Sequence, residues 1–162
     1  MRLNIGCGNN VLPGYVNIDL YVTGPEIVNL DASALPYPDG SASVVLADDV
    51  LEHFPRLKWK AAVAEWVRVL APGGAITIRF PDMRLLAEAL LHADSAEQWD
   101  MVNRRIFGGQ GDGTGDGAGM FHCTGFSFEY LRNYLEREHG LQPVRGELHN
   151  FNCTLTMMRP EK

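Results

Sequence analysis

Short β-branched runs alternate with stretches of helical periodicity along this chain, and that alternation restricts the fold more than any other feature. Residues 3–5, 16–20, 27–30, 43–47 and 75–80 each read as strands. Between the fourth and fifth runs, Trp59, Val63, Trp66, Val67 and Leu70 share one helical face, and Pro72-Gly73-Gly74 then stops the helix and turns the chain. Strands interleaved in this way predict an α/β fold with a parallel, helix-covered sheet. The 162 residues suffice for one domain with its own core, so residues 1–162 are read as a single unit.

The second half is less regular. Leu85, Leu86, Ala89 and Leu90 predict a helix, and a weaker one follows around Trp99, Val102 and Ile106. The segment "GGQGDGTGDGAG", residues 108–119, has seven glycines in twelve positions and cannot pack a core; it is read as a surface loop and a lid over the site, within a substrate-side segment spanning residues 95–130. Its "DGTGDG" resembles the start of a calcium-binding loop, but the twelfth position is Cys123 where a bidentate Glu is needed, and no metal centre is expected. Order resumes at Ser127, an N-cap for a helix with Phe128, Leu131, Tyr134 and Leu135 on one face and Gly140 as its stop. Residues 143–148 and 153–158 add two strands.

The opening "LNIGCGNNVLPGYVNID" poses the ligand question. A dinucleotide fold needs G-x-G-x-x-G, a helix whose N-terminus meets the pyrophosphate, and an acid about 20 residues on. Here Val11 stands at the third glycine position and Asp19 comes 13 residues after Gly6. The eight residues from Asn9 to Val16 include Pro13-Gly14, which leaves no room for a three-turn helix. A diphosphate thereby loses its main anion site. A nucleoside ligand without phosphate loses nothing: Gly6 and Gly8 permit close backbone approach, and Asp19 offers acceptors to ribose hydroxyls. S-adenosylmethionine is such a ligand.

In a doubly wound sheet, ligands bind beyond the carboxyl ends of the strands, so residues at successive strand ends converge. Asp31 follows the third run and is placed to accept from an adenine amino group, while Asp48 and Asp49 follow the fourth. Charge argues against other partners. The net charge of −6, without a Lys/Arg block, excludes the usual footprint of duplex nucleic acid or an anionic membrane. No 18-residue apolar stretch and no apolar signal core occur, and Cys7, Cys123 and Cys153 form no CxxC pair, so a reduced, cytoplasmic setting is expected.

Through "LNIGCG", "NIDL", "LDASALPYPDGSASVVLADDVLEHF" and "RVLAPGGAITIRFPD", residues 3–82 resemble small class I S-adenosylmethionine-dependent methyltransferases of the type-11 kind. The resemblance implies a Rossmann-like, mostly parallel seven-stranded sheet in the order 3-2-1-4-5-7-6, its last strand antiparallel, here with a shortened first crossover. It also implies S-adenosylmethionine as cofactor. Gly6, Cys7 and Gly8, with Asn4, would meet the methionyl part, Asp19 and Leu20 the ribose, and Asp31 and Ala32 the adenine, with Asp48 and Asp49 completing the set. Asn4 stands where many relatives carry an acid. The acceptor implied is a small molecule: a metabolite, sugar or lipid precursor.

Methyl transfer needs a base only if the acceptor has a proton to lose. His53 in "LEHF" and His122 in "MFHCTGF" are the residues of suitable chemistry. His53, with Glu52, has the alternative of ordering the loop under the cofactor; His122, at the end of the glycine-rich segment, is placed to be carried over the methyl group. A non-catalytic S-adenosylmethionine-binding module or partner subunit with the same fold is the competing expectation.

Overall fold

The computed structural model describes residues 1–109 and 120–161. Its sheet holds β1 (Arg2–Ile5), β2 (Val16–Asp19), β3 (Ile27–Asn29), β4 (Ala42–Asp48), β5 (Leu70–Pro81), β6 (Gln142–His149) and β7 (Asn152–Met158), in the order β3-β2-β1-β4-β5-β7-β6. The first five strands are mutually parallel, and β7 runs antiparallel to both β5 and β6. Order and orientation are those expected.

The register explains the core. Leu3 and Ile5 pair with Val45 and Ala47, which pair with Ile76 and Ile78, which in turn face Met157 and Leu155. All eight are buried, so one continuous apolar row crosses four strands. Helix α1 (Trp59–Val69) lays Trp59, Ala62, Val63, Trp66 and Val67 into this core, and the Trp66 indole N–H donates to Ala32 O at 2.9 Å. The tryptophans are core residues. Trp59 also packs edge-on against Phe126 and Tyr134 of the C-terminal half.

Helices α2 (Met83–Leu91), α3 (Ala96–Phe107) and α4 (Phe128–His139) complete the elements. Ser127 caps α4 by accepting from Tyr130 N at 3.3 Å, and Gly140 ends it in the left-handed conformation at φ 64°. Two details differ from expectation. Pro72-Gly73-Gly74 lies inside β5, where the register jumps between the Ala42–Leu70 and Val44–Ala75 pairs: the tripeptide is a bulge in a strand that starts directly after α1. Trp99 is 48% exposed, because α3 packs against α2 and buries only Val102.

The first crossover contains no helix. Its backbone is satisfied by buried amides instead: Asn4 Nδ2 donates to Asn10 O and to Asn17 Oδ1, both at 2.9 Å, and Asn17 Oδ1 accepts from Leu12 N at 2.9 Å. Among the described residues no helix is long and apolar enough to cross a membrane. The lid expectation falls on residues 110–119, outside the described residues.

Candidate functional site

The strand ends open into one crevice of about 930 Å³, lined by Gly6, Gly8, Asp19, Leu20, Asp31, Ala32 and Asp49 on one side and by Glu52, His53 and His122 on the other. On the first side, Gly6 and Gly8 take positive φ, at 61° and 51°. Their roles separate. A Cβ on Gly6 would stand 2.2 Å from Val50 Cγ2, so Gly6 is needed for packing; around Gly8 nothing lies within 4 Å of that position, so its backbone faces open crevice.

Asp19 sits at the end of β2 and stitches two turns together. Its Oδ2 accepts from Gly8 N at 2.8 Å, and its Oδ1 accepts from Tyr21 N and Val22 N, each at 2.8 Å. A carboxylate offers about four lone-pair sites, so roughly one stays open to a ligand hydroxyl. Asp31 Oδ1 accepts from Ser33 N at 2.8 Å and Ser33 Oγ at 2.7 Å; the backbone bond, then the hydroxyl, hold its carboxyl below the usual range. Asp31 is thus ionised, with Oδ2 available. Asp49 adopts φ 52°, and Arg79 of β5 pairs with both Asp48 and Asp49.

The other side is built by two distant segments. Glu52 O accepts from Cys123 N at 2.7 Å and Thr124 N at 3.1 Å, and Thr124 Oγ1 donates to Phe54 O at 2.8 Å. These bonds clamp residues 121–124 onto the single 3₁₀ turn Leu51–His53 and set the His53 and His122 rings 4.9 Å apart, edge to face. His53 Nδ1 lies 3.1 Å from Phe121 O and His122 Nδ1 lies 2.9 Å from Arg105 O. A carbonyl only accepts, so each Nδ1 carries a proton, and in a neutral ring Nε2 then keeps its lone pair. Burial, then the neighbouring His53, push the His122 pKa down, so it is neutral at pH 7. Burial pushes Glu52 up to about 8.

Residues 9–78 match the model of a family described as a methyltransferase domain. Over residues 9–78 this chain is similar to methyltransferase domains. No functionally curated protein matches the sequence. Among solved structures, a protein of Pyrococcus horikoshii OT3 aligns with a TM-score of 0.65 at 17% identity, over 98% of this chain and 82% of that one. An S-adenosylmethionine-dependent methyltransferase of Methanosarcina mazei gives 0.57 at 17% identity, over 93% and 74%. The Burkholderia thailandensis 1,6-didemethyltoxoflavin N1-methyltransferase, solved with 1,6-didemethyltoxoflavin and S-adenosylhomocysteine, gives 0.58 at 17% identity, over 88% of this chain and 60% of that one.

The residues lining the crevice fit S-adenosylmethionine. A glycine backbone open to the crevice, a strand-end carboxylate with a lone pair to spare and an ionised acid at the next strand end are the polar groups a nucleoside needs, and the crossover from β1 to β2 offers no helix N-terminus to favour a diphosphate. The crevice volume of about 930 Å³ lies near the top of the usual ligand-pocket range of roughly 300–1,000 Å³.

Nine residues proposed from sequence line this crevice: Gly6, Gly8, Asp19, Leu20, Asp31, Ala32, Asp49, His53 and His122. Three do not. Asn4 is buried and engaged with Asn10 and Asn17, Asp48 is paired with Arg79, and Cys7 is buried with its thiol donating to Gly8 O at 3.4 Å. Glu52 was read only as ordering the loop with His53, and Asp82 was missed. Glu52 gives no cue beyond adjacency to His53, and buried Asp82 accepts from Arg84 N, Leu85 N and Phe128 N, which anchors α4 to the start of α2. The motif "FPD" before a helical run was the available signal for that cap.

Proposed function

We propose that this chain is an S-adenosylmethionine-dependent methyltransferase that passes a methyl group to a small-molecule acceptor bound at the histidine end of the crevice. S-adenosylmethionine supplies, when bound, a methyl group whose departure leaves a neutral thioether. Gly6 and Gly8 take its methionyl part, Asp19 and Leu20 its ribose, and Asp31 and Ala32 its adenine. Residues 95–130 frame the acceptor, a reading supported by the crevice lining of Arg104, Arg105, Gly108, Met120 and His122. The chain's main contribution is to hold the two reactants in line, an effect worth up to roughly 7–11 kcal/mol in intramolecular models. His122, neutral and with Nε2 free, takes the proton of an acceptor that has one to lose, and His53 stands beside it. The small-molecule ligand of the Burkholderia neighbour supports the acceptor class. The net charge of −6 supports a site that does not read nucleic acid, and three free cysteines suit the reducing cytosol.

The observation that carries this reading is a single crevice with a nucleoside-type lining at one end and two imidazoles at the other. Its test is incubation with S-adenosylmethionine labelled in the methyl group, followed by separation of small molecules from protein. Label in small molecules, lost with His122→Ala, is expected. Tight binding of S-adenosylhomocysteine without label transfer to any acceptor pool would make the chain a non-catalytic binding module instead.

A further inference from the structure

Glu52 stands out among the crevice residues. It is 2% exposed, and neither carboxylate oxygen has a hydrogen-bond partner among the described residues. A buried polar side chain without a partner is costly and is kept where something else is meant to meet it. What lies nearest is an imidazole pair: one ligand atom from each of Glu52, His53 and His122 falls within 4.8 Å of the others. Each imidazole gives its Nδ1–H to a backbone carbonyl, Phe121 O for His53 and Arg105 O for His122. That outer bond is what orients a metal-ligating histidine and leaves Nε2 to coordinate.

We infer that Glu52, His53 and His122 bind a divalent transition-metal ion of the zinc kind at the acceptor end of the crevice. Two imidazoles and one carboxylate are the donor set of Zn²⁺ and its first-row neighbours, whereas Ca²⁺ and Mg²⁺ require oxygen cages. Three such ligands leave a coordination position open, and the crevice is the direction in which it opens. Ligands at the usual bond lengths of about 2.0–2.2 Å stand roughly 3.4 Å apart in a tetrahedral site, so side-chain rotations closing about 1.4 Å complete the shell. The surroundings favour a cation: Asp48 and Asp49 add two carboxylates near Glu52, and Arg79 is the one guanidinium paired with them among the described residues. The backbone clamp of residues 121–124 onto Leu51–His53 holds the ligands together although 69 positions separate His53 from His122. With the ion in place, it rather than the His122 imidazole meets the acceptor's heteroatom. This consequence rests on the acceptor reading above; metal binding itself does not.

The test uses the full chain stripped of metal by chelation. Calorimetry with Zn²⁺ is expected to show one saturable site per chain, and Co²⁺ in its place is expected to give visible absorption bands of a low-coordinate complex. Glu52→Gln, which keeps side-chain shape, and His122→Ala, at a half-buried position, are each expected to weaken Zn²⁺ binding by roughly tenfold or more, while Cys123→Ser leaves it unchanged. S-adenosylhomocysteine titrated into the same variants reports fold and cofactor site separately. Absence of a one-to-one Zn²⁺ site in a chain that still binds S-adenosylhomocysteine overturns the metal inference alone, as does full Zn²⁺ affinity in both ligand variants. Loss of S-adenosylhomocysteine binding by the wild-type chain would instead overturn the methyltransferase reading.

Discussion

At the nucleoside end of the crevice the acids already have donors: Asp19 accepts three backbone N–H bonds and Asp31 two bonds from Ser33. At the end proposed for the acceptor, Glu52 has no partner for either oxygen among the described residues, and two imidazoles stand beside it, each with Nδ1 on a backbone carbonyl. The first end has its acids already engaged, through hydrogen bonds between residues at most 11 positions apart. The second is assembled from segments about 70 positions apart and carries unsatisfied chemistry. Binding at the first end therefore costs little reorganisation, whereas the second gains its stabilisation when a ligand arrives.

The widest separation between the two ends is expected from His122→Ala. Removing a group that handles the acceptor should lower the methyl-transfer rate by roughly 10²–10⁴-fold while leaving S-adenosylhomocysteine affinity nearly unchanged. Parallel rate and calorimetric measurements decide it, and an equal loss in both would mean the two ends are one cooperative unit. Next comes Asp19→Asn. The new amide must turn its NH₂ either toward Gly8 N or toward Tyr21 N and Val22 N, so at least one backbone donor loses its acceptor. Cofactor affinity should fall by about 1.5–3 kcal/mol, the range for hydrogen bonds to a charged group. An affinity equal to wild type would remove Asp19 from the binding site.

Gly6→Ala and Gly8→Ala sharpen the contrast within the nucleoside end. At Gly6 the added Cβ meets Val50 Cγ2 at 2.2 Å in a left-handed backbone, so a stability loss of about 1–3 kcal/mol is expected, seen as a lower melting temperature. At Gly8 the surroundings are open, so the same substitution should cost less stability and act mainly on cofactor affinity by occupying crevice space. Reversed effects would exchange the structural and ligand-facing assignments.

How much of this was readable from sequence follows the same division. Strand positions other than the start of β5, most of the α1 face and the caps at Ser127 and Gly140 are local patterns, and these appear within a residue or two of their expected places, whereas β5 starts at Leu70 instead of residue 75. Pro72-Gly73-Gly74 reads as a turn because Gly73 needs a left-handed φ of 74°, and only sheet pairing shows the turn to be a bulge inside β5. Trp99 reads as buried because periodicity reports a face but not which neighbour covers it. The strand-end acids Asp19, Asp31 and Asp49 were legible because topology alone brings strand ends together. Asn4 was assigned to the ligand by resemblance, yet its amide is consumed in satisfying a crossover that has no helix. The grouping of Glu52 with His122 depends on a backbone clamp between distant segments, which no local pattern encodes.

The smallest expected effect comes from Asp31→Ala, and it tests whether the nucleoside end is as preformed as its hydrogen bonds indicate. Asp31 is exposed, and Ser33 holds its carboxyl below the ordinary value of 3.8. A folded-state pKa lower than the unfolded one gives a stabilisation that is complete above pH 3.8 and is lost as pH falls through the lower folded value. At this exposure solvent screening keeps that stabilisation small, so at pH 7 the substitution should shift the unfolding midpoint only slightly. Its effect on S-adenosylhomocysteine should be about 0.5–1.5 kcal/mol, one hydrogen bond from Oδ2, and constant from pH 8 down to pH 5 because the carboxylate stays ionised throughout. A loss that grew toward pH 8 would mean that a group titrating near neutrality, rather than Asp31 itself, sets adenine affinity, and the nucleoside end would then share the protonation chemistry of the acceptor end.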